Sequence, residues 1–503
     1  MPAETNVYDA VEYPAFSYPD THPDHLAVMA MLHGLQPAPV ETCRVLEIGC
    51  SEGANLIPMA YAIPGGSFTG FDLAGSPIAR GQQRIRELDL ANIRLFQGDL
   101  LEVDVAPENG GLGEYDYILA HGVYAWVPEP VRDRLLAVCA EHLAPNGVAF
   151  ISYNALPGSH MRNMVRDLMN WHADRTQSAG NAEQQVAYGL NLLEKLLHAR
   201  PDGDAYRQLL EGQLATMRRR SPRTLFHDEL SEVYHPVLLT TFVEHARRHG
   251  LEYLSEAVLP PPTDPGFRPE LMESLRGIAG EDIVALEQML DYARMRMYHE
   301  TLLIRGGHSV RREFAAEPFR KMRFTASATS SPGEREEARV FTLADGLKVG
   351  CDQPSANAVM ERLIAARPHT VGYDEIWGAL VQSGLPSEEH AARLLQQMAV
   401  ARLIDLRTWQ PPLAKAVSSH PRATATSRQE ARLRSHAATL WHGTVKLEDP
   451  IVRSLVQLLD GTRDRAALLA AFRSEFPSIP AEELEKGIDP NLAHLFRAAL
   501  LEA

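Results

Sequence analysis

A chain of 503 residues with 45% hydrophobic and 23% charged side chains has ordinary globular composition and too much length for one core, so roughly two to four domains are expected. Its formal net charge of −16 speaks against nonspecific binding to nucleic acid, which needs a basic surface to release counterions. No run of about eighteen apolar residues occurs, and Met1-Pro-Ala-Glu-Thr-Asn6 opens without a basic stretch leading into an apolar one, so neither a membrane span nor a secretory signal is expected.

Residues 1–40 are rich in Tyr, Pro and His (Tyr8, Tyr13, Tyr18, His22, His25) and turn helical through Leu26–Leu32, which suggests an arm packed on the domain behind it. A regular alternation then begins: strand 44–49, helix from about 55, strand 67–72, helix 77–88, strands 93–97 and 115–120, helix 131–143 and strand 147–153. Strands alternating with helices imply an α/β fold with a parallel sheet covered on both faces. Asn55 is expected to cap its helix, with Pro58 in the first turn, and Ser76-Pro77 to start the next.

Past Pro157-Gly158 a long helical stretch, 160–218, resembles an inserted cap. A helix at 237–246, a strand at 251–257, a helix at 282–297 and a strand at 301–304 then suggest completion of the same sheet. Residues 325–338 are polar and without periodicity, the clearest linker. Helices at about 355–366, 373–383 and 387–400 with a strand at 402–406 suggest a winged-helix-like module; 416–427 is expected as a loop, and a second helical module begins near Asp449. The helix at 387–400 carries one arginine against two glutamates, so a protein-interaction or structural role is expected there rather than DNA reading.

The chemistry concentrates at the strand ends. Arg44-Val-Leu-Glu-Ile-Gly-Cys-Ser-Glu-Gly53 is a buried strand entering a tight glycine turn, Asp72 ends the next strand, and Asp99 follows the third. A ligand carrying an adenosyl group and an amino-acid tail needs an unobstructed backbone turn, which Gly49 and Gly53 supply, and an acceptor for two ribose hydroxyls, which Asp72 supplies; Asp99 lies where it would meet the adenine amino group. The full G-x-G-x-x-G is missing, since Ser51 stands at the second glycine place, and no P-loop lysine follows. A cofactor without phosphate fits both absences.

These features resemble a class I S-adenosylmethionine-dependent methyltransferase with a Rossmann-like sheet. More narrowly, Thr21-His-Pro-Asp-His-Leu26, Leu46–Ala60, His121-Gly-Val-Tyr-Ala-Trp-Val-Pro128, Ser152-Tyr-Asn-Ala-Leu-Pro-Gly158, Phe226-His-Asp-Glu229 and Leu459-Asp-Gly-Thr-Arg-Asp-Arg465 resemble bacterial protein-lysine methyltransferases carrying a methyltransferase regulatory domain. The resemblance implies an arm and cofactor-binding core at 1–157, a helical cap at 158–220, a regulatory segment at 221–305, a linker at 306–340, a winged-helix-like domain at 341–415 and a helical or winged-helix-like module at 416–503. It implies S-adenosylmethionine as cofactor, with Glu47, Gly49, Ser51, Gly53, Asn55, Asp72, Leu73, Asp99, Leu100, His121 and Gly122 around it.

A lysine nucleophile must lose a proton from a group with an ordinary pKa of about 10.4, so an acceptor or a desolvated channel is needed. The candidates after the fourth and fifth strands are His121, Tyr124, Trp126, Tyr153 and Asn154. Tyr124 and Trp126 would flank the lysine arm by cation–π contact, His121 would line the cofactor or accept a proton, and Tyr153 and Asn154 would present hydroxyl and amide groups. A lysine-bearing protein is the expected partner; methylation of a small molecule under the helical cap, and a cofactor-binding scaffold with no catalysis, stay open. Assembly as a homodimer is compatible with the sequence. No C-x-x-C or H-E-x-x-H occurs, so no metal is expected. The scattered Cys43, Cys50, Cys139 and Cys351 suggest a reducing cytoplasm.

Overall fold

The computed structural model describes residues 11–14, 16–103, 112–176, 181–259, 267–335 and 338–502. After helix α1 (Pro23–Leu32) come strands β1 (Arg44–Ile48), β2 (Ser67–Asp72), β3 (Ile93–Gln97), β4 (Tyr115–Ala120) and β5 (Leu143–Asn154), with α2 (Leu56–Ala62), α3 (Gly75–Glu87) and α4 (Glu129–His142) between them. Four helices come next: α5 (Ser159–Thr176), α6 (Ala182–His198), α7 (Ala205–Met217) and α8 (Pro222–Leu230). The sheet is then completed by β6 (Leu251–Glu256) and β7 (Tyr298–Arg305), preceded by α9 (Leu239–Arg248) and separated by α10 (Pro269–Ala279) and α11 (Ile283–Arg294).

Its strand order is β3-β2-β1-β4-β5-β7-β6. The first five strands pair in parallel, and β7 runs antiparallel to both β5 and β6. Chain order reverses between β1 and β4, so their carboxyl ends open the crevice in which such sheets bind ligands.

β4 is buried along its whole length, as a central strand covered on both faces must be. One face packs on α4 and α9 through Leu135, Leu136, Ile118, Ile151 and Phe242. The other packs on α1, and its core runs on without a break into the segment after β7: Leu26, Met29, Phe150, Ile304, Phe319, Phe324 and Phe341 share one cluster. Helices α5 to α8 enclose a separate small core around Val165, Leu193, Leu214 and Leu225. The expected helical cap is therefore a four-helix unit that takes in the first helix of the segment beginning at 221.

The expected linker at 306–340 is structured. β8 (Arg323–Thr325) pairs with β12 (Val371–Gly372) and β13 (Asp405–Arg407), while β10 (Arg339–Leu343) lies between β9 (Ala328–Pro332) and β11 (Lys348–Cys351). Its hydroxyl-rich composition reads as a loop because Thr329, Ser330 and Ser331 lie on an exposed edge strand, while the inward residues Phe324, Ala326 and Ala328 are too few to show a period. Helices α12 (Pro354–Ala366), α13 (Tyr373–Gln382) and α14 (Glu388–Val400) complete this module.

The last module holds α15 (Ala425–Leu433), a hairpin of β14 (His436–Ala438) and β15 (Thr444–Lys446), α16 (Pro450–Leu458), α17 (Arg465–Glu475) and α18 (Ala481–Arg497). α15 begins inside the expected 416–427 loop, capped by Thr424, whose side chain accepts from Ser427 N. A helix does begin at the expected place near Asp449, whose side chain caps α16 by accepting from Ile451 N.

Candidate functional site

The turn after β1 is built on left-handed backbone. A Cβ atom at Gly49 (φ 76°) or Gly53 (φ 69°) would lie 2.7 Å from Val123 Cγ2 or Leu95 Cδ1 respectively, so a side chain at either place would add a clash to a backbone conformation that favours glycine. Between them Ser51 adopts φ 49°, a conformation that costs a non-glycine residue roughly 1–2 kcal/mol. Its amide is used in place: Ser51 N donates to Asp72 Oδ2 at 2.8 Å, and Ala74 N donates to Asp72 Oδ1 at 2.9 Å. These bonds fix the carboxylate at the end of β2, and a carboxylate offers more lone pairs than two amides use, so both oxygens suit a ribose diol.

Glu47, also on β1, is buried and accepts from Asn55 Nδ2 at 2.9 Å through Oε1, while Oε2 is buried without a protein partner. Burial, eased by the Asn55 bond and reinforced by Asp72, pushes its carboxyl up to about 8. Asn55 is not the side-chain cap anticipated for α2. Its amide turns inward to Glu47 and the arm instead, accepting from Tyr18 N at 3.0 Å. Ser76 likewise lies inside α3, whose N-cap is Ala74.

A buried acceptor with nothing to accept from is costly, and Glu47 lies close enough to Asp72 to feel its charge. The glycine turn, this orphan oxygen and the fixed Asp72 carboxylate together fit a cationic adenosyl amino acid. Gly122 (φ 67°) closes the β4 side, donating to Ser152 Oγ at 2.8 Å. Leu100 is buried, Leu73 is 55% exposed, and Asp99 is half-buried, its Oδ1 accepting from Leu101 N at 2.9 Å.

His121 stacks on Tyr18 of the arm with ring centroids 3.7 Å apart. Burial lowers its pKa to about 4, only partly opposed by Asp20. Burial thus keeps the imidazole neutral beside the turn, as suits a residue that lines the site.

Three other expected residues are placed against their assigned roles. The rings of Tyr124 and Trp126 already carry the chain's own cations: Arg132 lies 5.7 Å from the Tyr124 centroid, and Arg162 and Arg166 lie 5.5 and 5.4 Å from that of Trp126. Tyr124 is buried with its hydroxyl 2.8 Å from His245 Nδ1. Tyr153 is fully buried with its hydroxyl 3.2 Å from Thr301 Oγ1. Side chains alternate along a strand, so Tyr153 points to the α9 face while Ser152 and Asn154 point to the face carrying the arm. Asn154 does present an unsatisfied group: Oδ1 is buried without a protein partner.

The sequence reading missed the start of β7. Tyr298 pairs with Asn154, and its hydroxyl donates to Ser152 Oγ at 2.7 Å. Glu300 follows on the same face, its carboxyl pushed up to about 7 by burial, by Asp20 and by Glu256. The expected strand began at 301, too late to include either residue.

For metals, Asp133, His245 and His249 converge among the described residues, with Asp133 Oδ1 3.1 and 2.9 Å from the two imidazole Nε2 atoms. Two N–H donors on one carboxylate satisfy each other without an ion.

Comparison with known proteins agrees with this geometry. Residues 46–149 match the model of a methyltransferase domain, 221–305 that of a predicted methyltransferase regulatory domain, and 419–478 that of a PKMT C-terminal winged helix domain. Two uncharacterised proteins of Rickettsia prowazekii are each 33% identical. With RP789 the match takes in 63% of this chain and 56% of the relative, so the chain spans about half that relative's length. With RP028 it takes in 49% of this chain and 96% of the relative. The solved structure of PKMT2 from Rickettsia typhi in complex with AdoHcy superposes with a TM-score of 0.85 at 21% identity, covering 97% of this chain and 99% of that one. The chain belongs to the S-adenosylmethionine-dependent methyltransferase family, in the branch that joins the methyltransferase sheet to a regulatory domain and a C-terminal winged helix.

Proposed function

We propose that this chain transfers a methyl group from S-adenosylmethionine to the side-chain amine of lysine in a protein substrate. One observation carries the reading: beside the cofactor turn, the His121 ring lies 3.7 Å from that of Tyr18 and 6.4 Å from that of Tyr298, and Glu300 follows Tyr298 on the same face of β7. Asp20 lies close enough to act on both His121 and Glu300. Acidic groups set among rings suit an alkylammonium ion. Supporting it, the family model at 419–478 describes a PKMT, a protein-lysine methyltransferase, and PKMT2 of Rickettsia typhi shares the fold over nearly the whole chain.

When bound, the cofactor supplies an electrophilic methyl group on a sulfonium. Everything else falls to the chain. Glu47 and Asp72 would hold the donor's amino-acid tail and ribose, with the Tyr18–His121 stack lining the same side. Asn154 Oδ1 accepts from the lysine nitrogen and orients its lone pair. Glu300, poised near neutrality, takes the proton the ammonium must lose before it can attack. Tyr124, Tyr153 and Trp126 support the wall behind these groups. We also assign the protein to the cytoplasm, since Cys43, Cys50, Cys139 and Cys351 are all free thiols.

Equilibrium titration with S-adenosylmethionine tests the cofactor half. Wild type binds and Asp72→Ala does not; equal binding by both contradicts the ribose assignment. Glu300→Gln tests the acceptor half: kcat falls at least tenfold while cofactor affinity is kept.

A further inference from the structure

The last module reaches back across the molecule onto the cofactor turn. The β14–β15 hairpin places His442 at its tip in left-handed conformation (φ 62°), 2% exposed, with Nε2 2.8 Å from Asn55 Oδ1. Asn55 in turn donates to Glu47, so one chain of hydrogen bonds runs from the hairpin to the buried acid of the site. The arm is caught between: Thr444 Oγ1 lies 3.0 Å from Ser17 Oγ, and the His442 and His22 rings are 5.1 Å apart.

A second contact grips the same turn from the other side. Glu52, between Ser51 and Gly53, meets Arg434 at 2.5 Å and Arg84 at 3.5 Å, and Arg84 meets Glu430 of α15 at 3.2 Å. Burial opposes the ionisation of Glu52, but the arginines outweigh it and hold the carboxyl below its usual range. Glu52, Arg84 and Glu430 are all nearly inaccessible to solvent, and charges so buried are kept only by being paired.

We propose that the C-terminal winged helix is a clamp on the cofactor turn, with His442 and Arg434 as positioning residues that set S-adenosylmethionine affinity by fixing Asn55 and Glu52. The clamp rests on the cofactor reading given under the proposed function. Its physical basis is preorganisation: a turn with left-handed backbone at Gly49, Ser51 and Gly53 is held in its binding shape by groups outside its own domain. Burial and Arg407 hold His442 neutral, its pKa lowered to about 3, so it serves as a donor to Asn55 across the working pH range.

The experiment uses the full chain, with S-adenosylmethionine as the titrant and as the varied substrate in steady-state assays. His442→Ala and Arg434→Ala each raise Kd and KM for S-adenosylmethionine about tenfold, while kcat at saturation stays within twofold. His442→Gln, whose amide can still donate to Asn55, recovers most of the affinity. A variant that loses structure without loosening the turn would lower kcat in proportion to the inactive fraction and leave KM alone. Arg434 lies at the rim of the contact, so its variant tests the clamp even if His442→Ala does not fold. Wild-type affinity in Arg434→Ala and in His442→Ala overturns the clamp; failure of wild type itself to bind S-adenosylmethionine overturns the cofactor reading instead.

Discussion

Glu47 and Asn55 are joined by one hydrogen bond of 2.9 Å that satisfies only half of the carboxyl group, leaving Oε2 buried without a protein partner beside the glycine turn. An acid held in this way is stored in its neutral form, ready to ionise when a cation arrives.

That storage has a measurable sign. Glu47 keeps its proton in the folded chain up to about pH 8, whereas in the unfolded chain it loses it near 4.5. Between those values the folded state binds more protons, so stability falls as pH rises through the window, by up to roughly 4–5 kcal/mol. Glu47→Gln copies the protonated form and removes that slope: urea unfolding shows the variant matching wild type near pH 5 and gaining several kcal/mol on it, of order 3, near pH 8. An unchanged difference at both pH values contradicts the assignment.

His299 shows the same direction from a different cause. It is fully buried with its nitrogens 2.9 Å from Glu256 and 2.9 Å from Asp291. Burial works against its charge, but the two carboxylates win and raise its pKa to about 9. A raised histidine stabilises fully below its unfolded value of 6.5, and the contribution, about 3 kcal/mol, is lost as pH rises through 9. His299→Leu removes the cation between two buried acids and leaves them to share Arg296, which lies 2.9 Å from Asp291 and 3.8 Å from Glu256, so it costs about 3 kcal/mol at pH 6, as read by denaturant unfolding. A loss below 1 kcal/mol, about what an exposed pair is worth, would show that the histidine is not paired with both acids.

Phe324 decides whether the segment after β7 is linker or core. It is fully buried in the cluster that also contains Leu26 and Phe150. Phe324→Ala therefore costs about 3–5 kcal/mol in a single unfolding transition. A neutral substitution would restore the linker.

Much of this was legible in the chain. The strands at 67–72, 93–97 and 115–120 lie where the alternation puts them, because each is a short apolar run closed by turn residues. Gly49, Gly53 and Asp72 were legible because a tight turn and a strand end are local events. What escaped depends on contacts distant in sequence. Nothing around Trp126 announces that Arg162 and Arg166 will occupy its ring, and nothing around Asn55 announces His442, 387 residues away. Glu300 was hidden differently: only its place beside Ser152 in the antiparallel pairing brings it to the site.

The central claim is methyl transfer to lysine, and the most direct measurement follows the methyl group itself. The protein is incubated with methyl-labelled S-adenosylmethionine and a lysate from cells lacking it, and the labelled protein fraction is acid-hydrolysed. The predicted result is label in methyl-lysine with wild type and none with Asp72→Ala. Label confined to small molecules, or absent although the cofactor binds, would contradict it.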